Sequence, residues 1–243
     1  MIDPRTLTDA RLRLHWAAQL ASTVGRTLGC AVADDSHTSF RFDADADAIV
    51  QESLHRSGLR LRDLTLLLGD HELPLHGRTI DEAFAWIAEH APGVRRELNM
   101  PLPDHPVADG APFDASDCEA LQELARYYRE AAMLLRELHD DVRIWPHHFD
   151  IAVLMEFEGG AKTIGAGFSP GDDTIDEPYW YVNHWPRTTA TSLPPLAGGG
   201  SWNTEGWLGA VLPVSRGGDA REFLRSAVAV SKTLIGLEPN SSA

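Results

Sequence analysis

The sequence predicts an α+β fold, with long helices packed on one face of a mainly antiparallel sheet. Three observations lead there. Apolar residues recur at helical spacing in four separate stretches, and short runs between them alternate apolar with polar residues. Gly69 and Asp70 supply a tight turn of the kind that joins two antiparallel strands. A chain of 243 residues, 43% of them hydrophobic, can bury a full core, so we expect one domain over residues 1–243. Within it, pseudo-repeat halves at residues 1–95 and 116–243 are joined by a proline-rich crossover over residues 96–115.

The elements follow in order. Residues 6–28 form an amphipathic helix, because Trp16, Leu20, Val24 and Leu28 recur every fourth position among largely polar or small residues. Three strand candidates come next: "HTSFRFD", where Phe40 and Phe42 flank Arg41; "AIVQES"; and "LTLLLGDHELPL", a hairpin turning at Gly69 and Asp70. Thr79 and Glu82 stand at capping-box spacing, Ile80, Phe84 and Ile87 supply an apolar stripe, and Pro92 with Gly93 ends this second helix. The prolines that follow deny the backbone regular hydrogen-bonding positions, which makes an extended crossover. Ser116 and Glu119 form another capping box, opening a long helix through Leu121, Leu124, Tyr128, Leu135 and Leu138 to about residue 139. Strands over residues 149–157, 163–168, 179–185 and 207–212 precede a last helix over residues 219–235.

Both halves run helix, strands, connection, helix, and each closing helix follows a similar phrase, "ELPLHGRTIDEAFAWI" and "VLPVSRGGDAREFLRS". A diverged duplication is one explanation; chance recurrence of a common arrangement is the other.

Composition removes several function classes. A formal net charge of -15 repels phosphate backbones, so no nucleic-acid partner is expected. No apolar run approaches the roughly 18 residues a membrane span needs, and "MIDPRTLTDARLRLHW" has no apolar leader. Cys30 and Cys118 have neither metal spacing nor the makings of a disulfide framework. Together these suggest a cytoplasmic protein. There is no GxSxG, CxxC, phosphate loop or dinucleotide fingerprint, and no cofactor is expected.

Candidate chemistry concentrates between Trp145 and Pro186. Strand alternation in "HHFDIAVLMEF" sets Phe149, Ile151, Val153, Met155 and Phe157 on one face and His148, Asp150, Ala152, Leu154 and Glu156 on the other. His148 and Asp150 then project together, and an aspartate beside an imidazole suits acid-base catalysis; a solvated sheet face is the alternative. His147, His148, Asp150 and His184 include metal-ligand types, but adjacent strand histidines point to opposite faces and no spaced ligand motif accompanies them, so no metal site is expected. Asp172, Asp173, Asp176 and Glu177 crowd a loop whose glycines and prolines read as turn chemistry. In the next strand Tyr179, Tyr181 and Trp185 share one face, with Trp180 and His184 on the other; one should be core and the other free to line a cavity. In the first half His15 and Gln19 lie one helical turn apart and His37 opens a strand, so the three can converge.

Several phrases together resemble a bacterial domain of unknown function, the family numbered 5996. They are "LHWAAQL" with His15 and Gln19, the segment around His37, "MPLPDHP" leading to "APFD", and "WPHHFDIA" with Trp145, Phe149 and Asp150. "AGFSPGD" with Gly167 and Phe168, "DEPYWY" with Glu177 and Tyr181, and "VLP" before the last helix complete the set. The resemblance spans nearly the whole chain and implies an architecture and candidate positions, but no reaction.

The expected function is binding of a small organic ligand in an aromatic-lined pocket between the first helix and the aromatic strands of the second half. His15, Gln19, His37, Phe168, Glu177, Trp180, Tyr181 and His184 are the binding candidates, and His148 and Asp150 the candidates for cofactor-free acid-base catalysis. The alternative is a noncatalytic interaction or scaffold protein whose exposed aromatic strands meet a partner or a second copy, giving a homo-oligomer.

Overall fold

The computed structural model describes residue 2 and residues 4–51, 56–96, 102–188 and 192–238. Four α-helices and eleven strands are formed among these residues, and every strand pairing assigned is antiparallel, an α+β architecture. No helix among them is long and apolar enough to cross a membrane. The chain packs as two compact units, Met1–Glu130 with Arg143–Phe149 and Ala131–Val142 with Asp150–Ala243. The division therefore falls inside the third helix and before Asp150, away from the proline-rich crossover.

In the first unit, α1 (Pro4–Leu28) lies against a five-stranded meander of β1 (Arg41–Asp43), β2 (Ala48–Gln51), β3 (Ser57–Arg60), β4 (Thr65–Leu68) and β5 (His71–Pro74), in that spatial order. The hairpin turns where predicted, with Leu68 opposite His71. The strand candidate "AIVQES" is β2 as far as Gln51; Glu52 and Ser53 lie outside the described residues. α1 is more enclosed than an amphipathic helix: from Ala10 to Gly25 only Leu12 and Trp16 are not buried. Small side chains explain this, because Ala17, Ala18, Ala21 and Ser22 let neighbours approach the helix from several sides. β3, a strand without apolar alternation, is approached closely by α1 at Ser57 and by β2 at Gly58. Ser57 Oγ donates to the Ala21 carbonyl at 3.1 Å, and a Cβ on Gly58 would stand 2.4 Å from the Ile49 carbonyl oxygen. Arg13, only 2% exposed, is held by Asp117 at 2.8 Å and by Asp9 one turn earlier, which ties α1 to the approach of the third helix.

α2 (Ile80–His90) begins on the predicted capping box. Thr79 Oγ1 accepts from the Glu82 amide at 3.2 Å, and Glu82 Oε2 accepts from the Thr79 amide at 2.8 Å. The described part of the crossover contains one 3-10 turn, Pro106–Asp109; its residues 97–101 lie outside the described residues. α3 (Cys118–Arg136) starts later than expected, and no capping box forms at Ser116, whose hydroxyl donates to Asp114 at 2.9 Å. β6 (Arg143–Trp145), too short to show periodicity, belongs to this unit: Ile144 and Phe40 exchange backbone hydrogen bonds of 2.8 and 2.9 Å.

The second unit holds β7 (Asp150–Phe157), β8 (Lys162–Ser169), β9 (Tyr179–Trp185), β10 (Ser201–Asn203) and β11 (Gly209–Pro213), ordered β10-β11-β9-β8-β7. α4 (Ala220–Leu234), capped by Asp219, packs on β9, β8 and β11. Alternation sorts this sheet as predicted. Ile151, Val153, Met155 and Phe157 are buried while Leu154 and Glu156 are exposed, and along β9 Trp180, Val182 and His184 are buried while Asn183 and Trp185 are not. Phe149 does not join its row. Its φ of 56° places it in a left-handed turn, and the strand begins one residue later.

Candidate functional site

An open cleft of about 370 Å³ lies in the first unit, walled by three segments. α1 contributes Arg26; the stretch before β1 contributes Asp34, Asp35, His37 and Thr38; and the stretch around the end of β6 contributes Trp145, Pro146 and His147. His37 does not open a strand, as its sequence position suggested. It sits in a 3-10 turn, Ser36–Thr38, entered through Asp35 at φ 56°, ψ 14°. Gly25 makes room for this turn, since a Cβ there would stand 2.8 Å from the His37 carbonyl oxygen and 2.7 Å from Gln51 Oε1. Gln51, buried on β2, then fastens the two walls together: its Oε1 accepts from the Gly25 amide at 3.1 Å and its Nε2 donates to the Thr38 carbonyl at 2.6 Å.

The third wall is fixed by the two helix residues singled out in the sequence. His15 Nε2 donates to the Pro146 carbonyl at 2.8 Å, and the Gln19 amide donates to the same oxygen. Both side chains are buried, so they position the wall from behind. His15 also stacks on Phe149, with ring centroids 5.3 Å apart and planes 9° from parallel, while Tyr128 donates to the Phe149 carbonyl. Burial lowers the His15 pKa to about 4, and Arg11, His148 and His147 add to the effect against the opposing pull of the Pro146 carbonyl. His15 is therefore neutral at pH 7 and carries its proton on Nε2.

The expected shared row of His148 and Asp150 is not formed by the strand. His148 lies in the turn before Phe149, exposed, with its ring 4.5 Å from that of His147; the left-handed Phe149 breaks the alternation that would have aligned it with Asp150. The His147 ring in turn lies 5.8 Å from Trp145. The Trp145 and His147 rings make one side of the cleft aromatic.

Asp150 has another partner in the second unit, accepting a hydrogen bond from the Tyr181 hydroxyl. Gly167 makes that reach available. A Cβ on Gly167 would stand 2.6 Å from Tyr181 Cζ and 2.7 Å from the Ile151 carbonyl oxygen, so the ring can lie across β8 only because that position is bare. Burial, then the negative charge of Asp150, pushes the Tyr181 phenol well above its ordinary range, and it acts as a hydrogen-bond donor rather than a base. Trp207 meets Tyr181 edge-on, at 6.5 Å and 86°. Tyr179 donates to Asp172 in a parallel arrangement, and its phenol is likewise raised, first by burial and then by that carboxylate.

Several other candidates have structural duties. Phe168 and Trp180 meet edge-on at 5.1 Å in the core. Glu177 accepts from the Ser215 amide and hydroxyl at 2.9 and 2.8 Å, fastening the loop before β9 to the turn after β11. Asp172 caps the amides of Thr174 and Ile175, as turn chemistry predicts. His184 is 8% exposed on the core face; neither ring nitrogen has a hydrogen-bond partner, and burial lowers its pKa. Among the described residues no group of three or more His, Cys, Asp or Glu side chains is arranged to hold a metal ion.

Sequence reasoning found His37, His15 and Gln19 but missed Arg26, Asp35 and Thr38 as lining residues, because only tertiary packing brings α1 and the 3-10 turn to one cleft. The run "ADDSHT", rich in residues that tolerate left-handed backbone and cap turns, was the available signal. Set against protein-family models, curated proteins and solved structures, the chain matches none.

Proposed function

We propose that this chain is a cytoplasmic protein that binds a small organic ligand in the cleft beside His37, Trp145 and His147. The observation that carries this reading is the cleft itself: its volume of about 370 Å³ falls in the range typical of small-molecule sites, and aromatic surface adjoins a few charged groups. His15 and Gln19 serve the site by holding the Pro146 carbonyl in place. Any reaction is acid-base chemistry without a cofactor. His148, exposed beside His147, is then the proton-exchanging group, while Asp150, engaged by Tyr181, stands outside the cleft. Trp145, Pro146 and His147, part of the resemblance to the family numbered 5996, supply one wall. The net charge of -15 argues against nucleic acid as the ligand.

One observation favours a second reading, an interaction surface that pairs with another copy or a partner. Leu154 and Trp185, on the same face of the second sheet, are 55% and 57% exposed. A metabolite-library thermal-shift screen separates the two. A ligand stabilises the state it binds, by about 2.7 kcal/mol at a hundred times its Kd. We expect a compound to raise the melting temperature of the wild type and of Asp150→Ala, but not of Trp145→Ala. If no compound raises the wild type, or one raises Trp145→Ala equally, the cleft is not the binding site.

A further inference from the structure

We infer that His71 and His90 form a two-imidazole site for a divalent transition-metal ion of the zinc class, on a part of the first unit that does not line the cleft. β5 and α2 bring the two side chains together. His71 opens β5 directly after the turn at Gly69 and Asp70, and by alternation it shares a face with Leu73, which is buried. His90 is the last residue of α2, whose start is fixed by the Thr79 and Glu82 capping box. The two rings meet with centroids 4.4 Å apart and planes at 60°, while Trp86, one turn before His90, packs against the His90 ring at 4.7 Å.

Each imidazole presents what a metal ion requires. His90 Nδ1 donates to the Trp86 carbonyl at 2.9 Å, since a carbonyl oxygen can only accept, and in the neutral ring this leaves the lone pair on Nε2. A histidine ligand ordinarily has its other nitrogen fixed in this way, which sets both tautomer and ring orientation. His71 is exposed and makes no hydrogen bond among the described residues. With metal–nitrogen bonds of about 2.1 Å meeting at about 90–110°, two coordinating rings have centres about 4.5–5.2 Å apart. A rotation of the exposed His71 side chain covers the small difference from 4.4 Å. The surroundings favour a cation. His90 stands at the C-terminal, partially negative end of α2, Asp70 and Glu89 are exposed next to the two histidines in the chain, and the net charge is -15. Imidazole nitrogens select zinc, copper or nickel over magnesium and calcium, which take oxygen ligands. Among the described residues no third His, Cys, Asp or Glu completes the set, so water fills the remaining positions and the ion is exchangeable.

Zinc chloride titrated into the metal-free full chain by calorimetry tests the site, with magnesium chloride as the hard-ion control. We expect one zinc ion per chain at the tightest site, no magnesium heat, and a melting temperature that rises with zinc, because an ion that binds the folded arrangement alone stabilises it. His71→Ala and His90→Gln should each weaken zinc binding at least tenfold and lose the thermal shift. His148→Ala should keep both, although the His147 and His148 rings, 4.5 Å apart, are the rival pair. His71 is exposed, so its variant decides the outcome by itself should His90→Gln, which also loses the bond to Trp86, fail to fold. No zinc binding, magnesium binding as tight as zinc, or wild-type zinc affinity in His71→Ala overturns the site; so does a loss in His148→Ala that His71→Ala does not share.

Discussion

His15 is buried to hold the Pro146 carbonyl, and that placement links cleft architecture to pH. Its folded-state pKa is about 4, against an ordinary 6.5, because burial penalises the imidazolium. The unfolded chain therefore binds this proton more readily than the folded one. The stability contribution is complete above the unfolded pKa and is lost as pH falls from 6.5 towards 4, by about 3 kcal/mol over the window. We expect urea midpoints measured from neutral pH down to this window to fall more steeply for the wild type than for His15→Gln. Parallel curves would mean that His15 does not carry the slope. Some slope should survive in the variant, because burial depresses His184 in the same direction. Little of this was visible in the sequence, where His15 and Gln19 stood out by their one-turn spacing. Their common acceptor, a carbonyl 131 residues from His15, depends on tertiary packing.

Helix α2 shows what local sequence can specify. Thr79 and Glu82 satisfy one another's amides, and both groups are set by spacing alone. Thr79→Ala should cost about 1 kcal/mol, as loss of such a cap typically does, while Thr79→Ser should keep most of it. Chemical unfolding of both variants checks this, and a wild-type midpoint in Thr79→Ala would show the cap to be redundant. The elements legible beforehand share that independence from context. α2, the β4–β5 hairpin, β9 and α4 are each marked by a cap, a turn or a run of alternation. Those missed are short or made by packing. β6 and β10 have three residues each, and in β3 Ser57 is fastened to the Ala21 carbonyl of α1 while Gly58 is bare because the β2 backbone comes too close for a side chain. The break at Phe149 was hidden for the converse reason: an apolar residue in register with Ile151 and Val153 reads as strand, whatever its backbone does. The same error joined His148 to Asp150.

At the scale of the whole molecule, acidic residues outnumber Lys and Arg by 36 to 21. Two electrostatic effects of opposite sign follow. Close pairs such as Arg60 with Glu72 and Arg126 with Glu123 are attractive, but exposed pairs contribute only about 0–1 kcal/mol each. Repulsion among the unmatched carboxylates is summed over the entire surface and opposes the compact state. Salt separates them by range. Between about 10 mM and about 150 mM NaCl the screening length drops from about 30 Å to about 8 Å, which removes much of the long-range repulsion while leaving contacts of under 3 Å less affected. We therefore expect the urea midpoint at neutral pH to rise with NaCl over this interval. A midpoint that falls would show that the local pairs outweigh the net charge.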